Sequence, residues 1–223
     1  VRVWNPAASG AAIEAEPEGH SSEVSALVTF VDPATGALRV ATGSDDGTVR
    51  VWDADTGGAL LVIDVGSSVN ELAFFVDPAT GAPRLACTQR KQVHVIDPVA
   101  GGEALVVIDI GSDLYALAVF VDPVTGAPRL ACGTGGYKCG DVRVFDAVSG
   151  GDTLLVLDVG SPVNALAVFK DPATGELRIA CGCYSQVHIF DLVAGGEALV
   201  VLEGHTRDVN ALTVFQDPAT GYL

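Results

Sequence analysis

Thr42-Gly43-Ser44-Asp45-Asp46-Gly47-Thr48-Val49-Arg50-Val51-Trp52-Asp53 is the stretch on which the reading of this chain turns. It is the end of one strand, a tight acidic-glycine turn, and a second strand closing on Trp-Asp. Strands of the same kind recur at Val93 to Asp97, Val142 to Asp146 and Val187 to Asp191. The sequence is therefore an array of one supersecondary unit.

Working outward, a second marker gives the period. Asp32, Asp77, Asp122, Asp171 and Asp217 are each followed by Pro, a small residue, Thr and Gly, at spacings of 45, 45, 49 and 46 residues. Asp caps such a turn with its side chain, Pro fixes φ, and Gly admits positive φ. Before each turn runs an apolar strand such as Val163 to Phe169, with apolar residues on both faces, as expected of a strand covered on both sides. After it comes an alternating strand such as Leu38 to Thr42, with Arg39, Arg84, Arg129 and Arg178 in matching places. The Trp-Asp-type strand follows, and a Gly-bearing turn leads to an outer strand such as Ala198 to Leu202.

Four short strands in about 45 residues, none able to bury its apolar face alone, make a propeller blade. The expected fold is all-β: a β-propeller of four-stranded antiparallel blades, with about five blade-equivalents. The chain reads as a single domain over residues 1–223, with units near 25–69, 70–114, 115–163 and 164–209. A last blade is formed from both termini, 210–223 plus 1–24, or is incomplete. The counterpart of Arg39 to Thr48 is missing from it. The start inside a repeat and the lack of Met suggest an excerpt from a longer, seven-bladed chain. Ser9 to Glu18 reads as a frayed outer strand rather than a helix.

The residues Gly19-His20, Thr42, Gly43 to Thr48 and Trp52-Asp53 resemble the WD-repeat β-propeller family. The resemblance implies that His20, Thr42, Asp46 and Trp52 form a buried hydrogen-bonded network. Elsewhere the signature is degenerate. Cys87, Cys132 and Cys181 stand for Thr42, while Ile96, Phe145 and Phe190 stand for Trp52. Gly-Ser pairs at Gly66, Gly111 and Gly160 replace Gly-His, which His205 restores.

Composition narrows the function. A formal net charge of −16 argues against a nucleic-acid partner, which would need a basic patch. No apolar run approaches the roughly 18 residues of a membrane helix, so no membrane partner is expected. The five cysteines do not form a disulfide framework, which favours an intracellular, cytoplasmic setting. One carboxylate per Asp-Pro turn is too few for Ca²⁺. His94 and His188 sit at alternating, exposed strand positions, and Cys181, Cys183 and Cys139 lack zinc spacing. No metal or cofactor is expected. No nucleophile, phosphate-loop or dinucleotide motif appears, so the chain reads as no enzyme.

Comparing the units points to one end of the array. The Asp-Pro turns hardly vary, whereas the second-to-third strand turns and the connections between units differ. Arg90, Lys91, Tyr137, Lys138, Tyr184 and Arg207 lie there, and Arg and Tyr are enriched at interface anchors. The expectation is a non-catalytic scaffold docking a protein or peptide on this varied face, with self-association through the incomplete ring. The alternative is a lectin-like propeller binding a small ligand, which would repeat its rim residues from blade to blade.

Overall fold

The computed structural model describes residues 3–4, 12–13, 19–136 and 139–215, the first four as backbone strand only. It divides into two compact units, Val1–Asp109 and Ile110–Leu223. The described residues contain strands and turns and no helix.

In the first unit β1 (Val3–Trp4) pairs antiparallel with β2 (Ala12–Ile13). The first four-stranded sheet is an antiparallel meander of β3 (Val24–Val31), β4 (Leu38–Ser44), β5 (Thr48–Asp53) and β6 (Ala59–Asp64). The second is made by β7 (Val69–Val76), β8 (Pro83–Gln89), β9 (Gln92–Ile96) and β10 (Val106–Asp109). Val49, Val51 and Ile63 of the first sheet share one buried cluster with Val69, Leu72, Leu85 and Ile96 of the second. This joint core is why neither sheet needs an apolar face of its own on both sides.

The second unit repeats the plan. The third sheet consists of β11 (Asp113–Val121), β12 (Pro128–Gly135), β13 (Asp141–Asp146) and β14 (Gly150–Asp158). The fourth has β15 (Ala165–Lys170), β16 (Leu177–Gly182), β17 (Tyr184–Asp191) and β18 (Val200–Asp208). Val142, Val144 and Leu157 pack there against Val163, Ile179 and Phe190.

The turns explain why these residues form meanders. Asp32 Oδ1 accepts the Ala34 amide at 3.0 Å and Oδ2 accepts the Thr35 hydroxyl at 2.6 Å, with Gly36 at φ +70°. Asp77, Asp122 and Asp171 repeat the side-chain cap. At the same end of each sheet an arginine of the second strand donates to the aspartate closing the third: Arg39 to Asp53, Arg84 to Asp97 at 3.2 Å, Arg129 to Asp146, and Arg178 to Asp191. Close packing between sheets rests on a glycine. A Cβ on Gly43 would lie 2.4 Å from Val69 Cγ1, and one on Gly133 would lie 2.8 Å from Val163 Cγ1.

One departure from the sequence reading concerns a covered face. The first strand of each unit is expected to be covered on both sides. In β3, however, Leu27 is 60% exposed, against 7% for its counterpart Leu72. β18 is exposed along its whole length. Leu202, register-equivalent to Leu157, is 49% exposed while Leu157 is fully buried. The residues assigned to the neighbouring blade in each case, largely 1–18 and 216–223, lie outside the described residues, as does most of the closing blade.

Candidate functional site

The network implied by the resemblance is assembled from three segments of the first unit. His20 precedes β3, Thr42 lies in β4, Asp46 lies in the β4–β5 turn, and Thr48 and Trp52 lie in β5. Trp52 Nε1–H donates to Thr42 Oγ1 at 2.8 Å, and Thr42 Oγ1 is 2.8 Å from His20 Nε2. His20 Nδ1 is 2.9 Å from Asp46 Oδ2. A carboxylate only accepts, so Nδ1 carries the proton and Nε2 accepts from the Thr42 hydroxyl. Every donor in the chain from indole to carboxylate then has one acceptor.

Asp46 is more heavily bonded than the sequence indicates. The Thr48 hydroxyl donates to its Oδ1 at 2.6 Å and the Ser21 amide to its Oδ2 at 2.9 Å. Burial pushes this carboxyl upward, but the hydrogen bonds from Thr48, Ser21 and His20 outweigh it and hold it well below the usual carboxylate range. Thr48 and Ser21 were missed as members. Thr48 stands two residues after a turn Asp, where a hydroxyl reaches back, whereas Ser21 contributes through its backbone and leaves no side-chain signal.

In the other sheets thiols occupy the Thr42 position. Cys87, Cys132 and Cys181 are fully buried. Burial pushes the Cys87 and Cys132 thiols up to about 12, so they pack as small hydrophobes and are not nucleophiles. His94 and His188 are half-buried rather than exposed, each 3.3 Å from the side-chain oxygen of the glutamine two residues earlier. Burial lowers the His94 pKa. Among the described residues no group of three His, Cys, Asp or Glu could hold a metal ion. No helix there is long and apolar enough to cross a membrane.

The varied turns place the partner-facing candidates as follows. In the first unit Arg90 and Lys91 form the β8–β9 turn, both exposed, with Arg90 at φ +46°. Beside them the buried Gln89 side-chain nitrogen has no hydrogen-bond partner. Glu71, where the other three sheets carry Ala26, Ala116 and Ala165, is half-buried, and burial raises its pKa to about 7. Tyr137 and Lys138 lie outside the described residues.

In the second unit Tyr184 and Arg207 come onto neighbouring strands. Tyr184 faces Asp208 across the β17–β18 pair, and the register shifts between Tyr184 and Gln186. Ser185, at that shift, has φ +56°. Gly160, Ser161, Pro162, Tyr184 and Asp208 line a cleft of about 470 Å³. Arg90 and Ser185 are the only non-glycine residues with left-handed φ among the described residues, and both lie at the varied end. A side chain makes that conformation costly, so its presence marks a turn shaped by something other than local preference.

Residues 13–53, which span the whole of this network, match the model of the WD domain, G-beta repeat. That stretch is a WD repeat. The fold of the chain is shared with solved structures. BBS1N, in a crystal structure in complex with ARL6DN and soaked with lead, is 12% identical with a TM-score of 0.66 over 82% of this chain. This chain spans 57% of that BBS1N chain. The computationally designed Ika8 protein is 24% identical with a TM-score of 0.57, over 90% of this chain and 67% of that one. At these identities the likeness shows the fold alone, a β-propeller of four-stranded antiparallel blades. No curated protein matches the sequence. WD-repeat propellers are in general non-catalytic scaffolds that bind protein partners.

Proposed function

We propose that this chain is a non-catalytic docking scaffold whose partner, a protein or peptide, seats on the end bearing the second-to-third strand turns. The observation that carries the reading is the contrast between the two ends of each sheet. At one end the Asp caps and Arg–Asp pairs repeat in all four sheets and are internally satisfied. At the other the turns differ in sequence and hold the two strained residues, Arg90 and Ser185. A repeat scaffold presents a non-repeating surface in this way. Tyr184, Arg207, Arg90 and Lys91 are the anchors proposed among the described residues, and Tyr137 and Lys138, in the second-to-third strand turn of the third unit of the sequence, complete the set. The cysteines are free, and a reducing, cytoplasmic setting suits them.

The test is selection of a displayed random-peptide library on the wild-type chain, followed by binding of the recovered peptides to Tyr184→Ala and Arg90→Ala. Peptides that lose affinity for either variant, with melting temperature unchanged, are the expected result. Peptides that bind both variants as well as wild type would overturn the assignment of the face.

A further inference from the structure

We propose that the cleft between Tyr184 and Asp208 receives a lysine or arginine side chain of the docked partner. This rests on the scaffold reading above and adds the chemistry of its anchor. Tyr184 is 62% exposed, so its ring face is open to a ligand. Asp208, directly opposite on β18, lines the same cleft. Its carboxylate has no hydrogen bond or ion pair among the described residues, in contrast to Asp141 and Asp191 in the same unit, each of which is paired with an arginine. Gly160, Ser161 and Pro162 close the remaining wall and bring no charge. Arg207 does not line the cleft; successive strand residues point to opposite faces.

An aromatic face and an unpaired carboxylate on one wall are complementary to a cation carried on an aliphatic stem. The ring quadrupole attracts the charged head, the carboxylate accepts its hydrogen bonds, and the stem covers Pro162. The volume of about 470 Å³ is in the range of side-chain and small-ligand pockets. A net charge of −16 draws basic segments toward the chain over a distance of about a Debye length. An acidic or wholly apolar segment would leave Asp208 desolvated without a partner.

The experiment uses the full chain labelled with 3-fluorotyrosine, the residue-184 resonance being identified by its loss in Tyr184→Phe. Nα-acetyl-lysine amide, Nα-acetyl-arginine amide and Nα-acetyl-norleucine amide are titrated separately. The expected result is a saturable shift of that resonance with the lysine and arginine compounds and none with norleucine, which keeps the stem and lacks the charge. Asp208→Asn should weaken the response at least fivefold, and added salt should weaken it further. An equal response to norleucine, no response to any compound, or an unchanged response in Asp208→Asn would overturn the proposal. Library peptides that need Tyr184 yet tolerate loss of every lysine and arginine would overturn it while leaving the scaffold reading intact. Binding of the cationic amides by a chain that selects no peptide would defeat the scaffold reading instead.

Discussion

At the scale of the residue, adjacent aspartates in one turn have different roles. Asp45 is exposed and its side chain is unused, while Asp46 accepts from Thr48, Ser21 and His20. Removing the Asp46 carboxylate leaves the His20 Nδ1–H, on a side chain only 1% exposed, with just the longer contact to Thr48 Oγ1 at 3.1 Å, and takes the acceptor from the Thr48 hydroxyl proton. An unsatisfied buried donor costs ~1–3 kcal/mol. Asp46→Ala should therefore lower the urea midpoint well below wild type, and Asp45→Ala should leave it nearly unchanged. Equal midpoints for the two variants would show that the network does not hold the first sheet. Much of this was legible in the sequence, because the Gly-His, the Thr and the Trp-Asp are side-chain signals at fixed places. Ser21 was not, since any residue supplies an amide. Nor was the meeting of Tyr184 with Asp208, which depends on a register shift set by Ser185 and not by the strand pattern.

At the scale of the element, the outer strands show what the sheets ask of their neighbours. Leu157 and Leu202 have the same residue type, the same register and the same place in their sheets, yet one is fully buried and the other 49% exposed. Leu157→Ala removes buried methyl groups from the core of the second unit and should cost ~2–5 kcal/mol. Leu202→Ala should cost well under that, within the range of ordinary surface changes. Chemical denaturation of the two variants decides it. A cost at Leu202 matching that at Leu157 would mean that β18 is covered in solution. The sequence showed the four strands and their turns because Asp-Pro, Arg and Trp-Asp-type strands recur at one period. It could not show which faces stay open, because the pattern of β18 is the same as that of β14.

At the scale of the whole molecule, two sets of carboxyl groups pull stability in opposite directions with pH. The turn aspartates are held low. In Asp32 and Asp77 the hydroxyls of Thr35 and Thr80 act first, and in Asp53, Asp171 and Asp191 the amides of Thr56, Ala173 and Ala194 do. In Asp46, Asp122 and Asp146 burial opposes the shift and hydrogen bonds outweigh it. A depressed folded pKa adds stability that is present above the unfolded value of 3.8 and lost as pH falls through the folded value. Glu71 has the reverse sign. Burial raises its pKa from 4.5 to about 7, so its contribution is present below pH 4.5 and lost as pH rises through about 7. Relief of self-repulsion in a chain of net charge −16 also favours mild acid. The urea midpoint should thus peak between about pH 4.5 and 6.5 and fall steeply below about pH 3.5. Trp52 is buried in β5 of Val1–Asp109, so its fluorescence follows the unit that holds Glu71. Glu71→Gln should raise that midpoint above wild type at pH 8, where the wild-type carboxyl is charged in its half-buried place. The gain should vanish at pH 4, where the carboxyl is neutral. A gain of the same size at both pH values would show that Gln simply packs better at that site and that the fold does not hold a proton on Glu71.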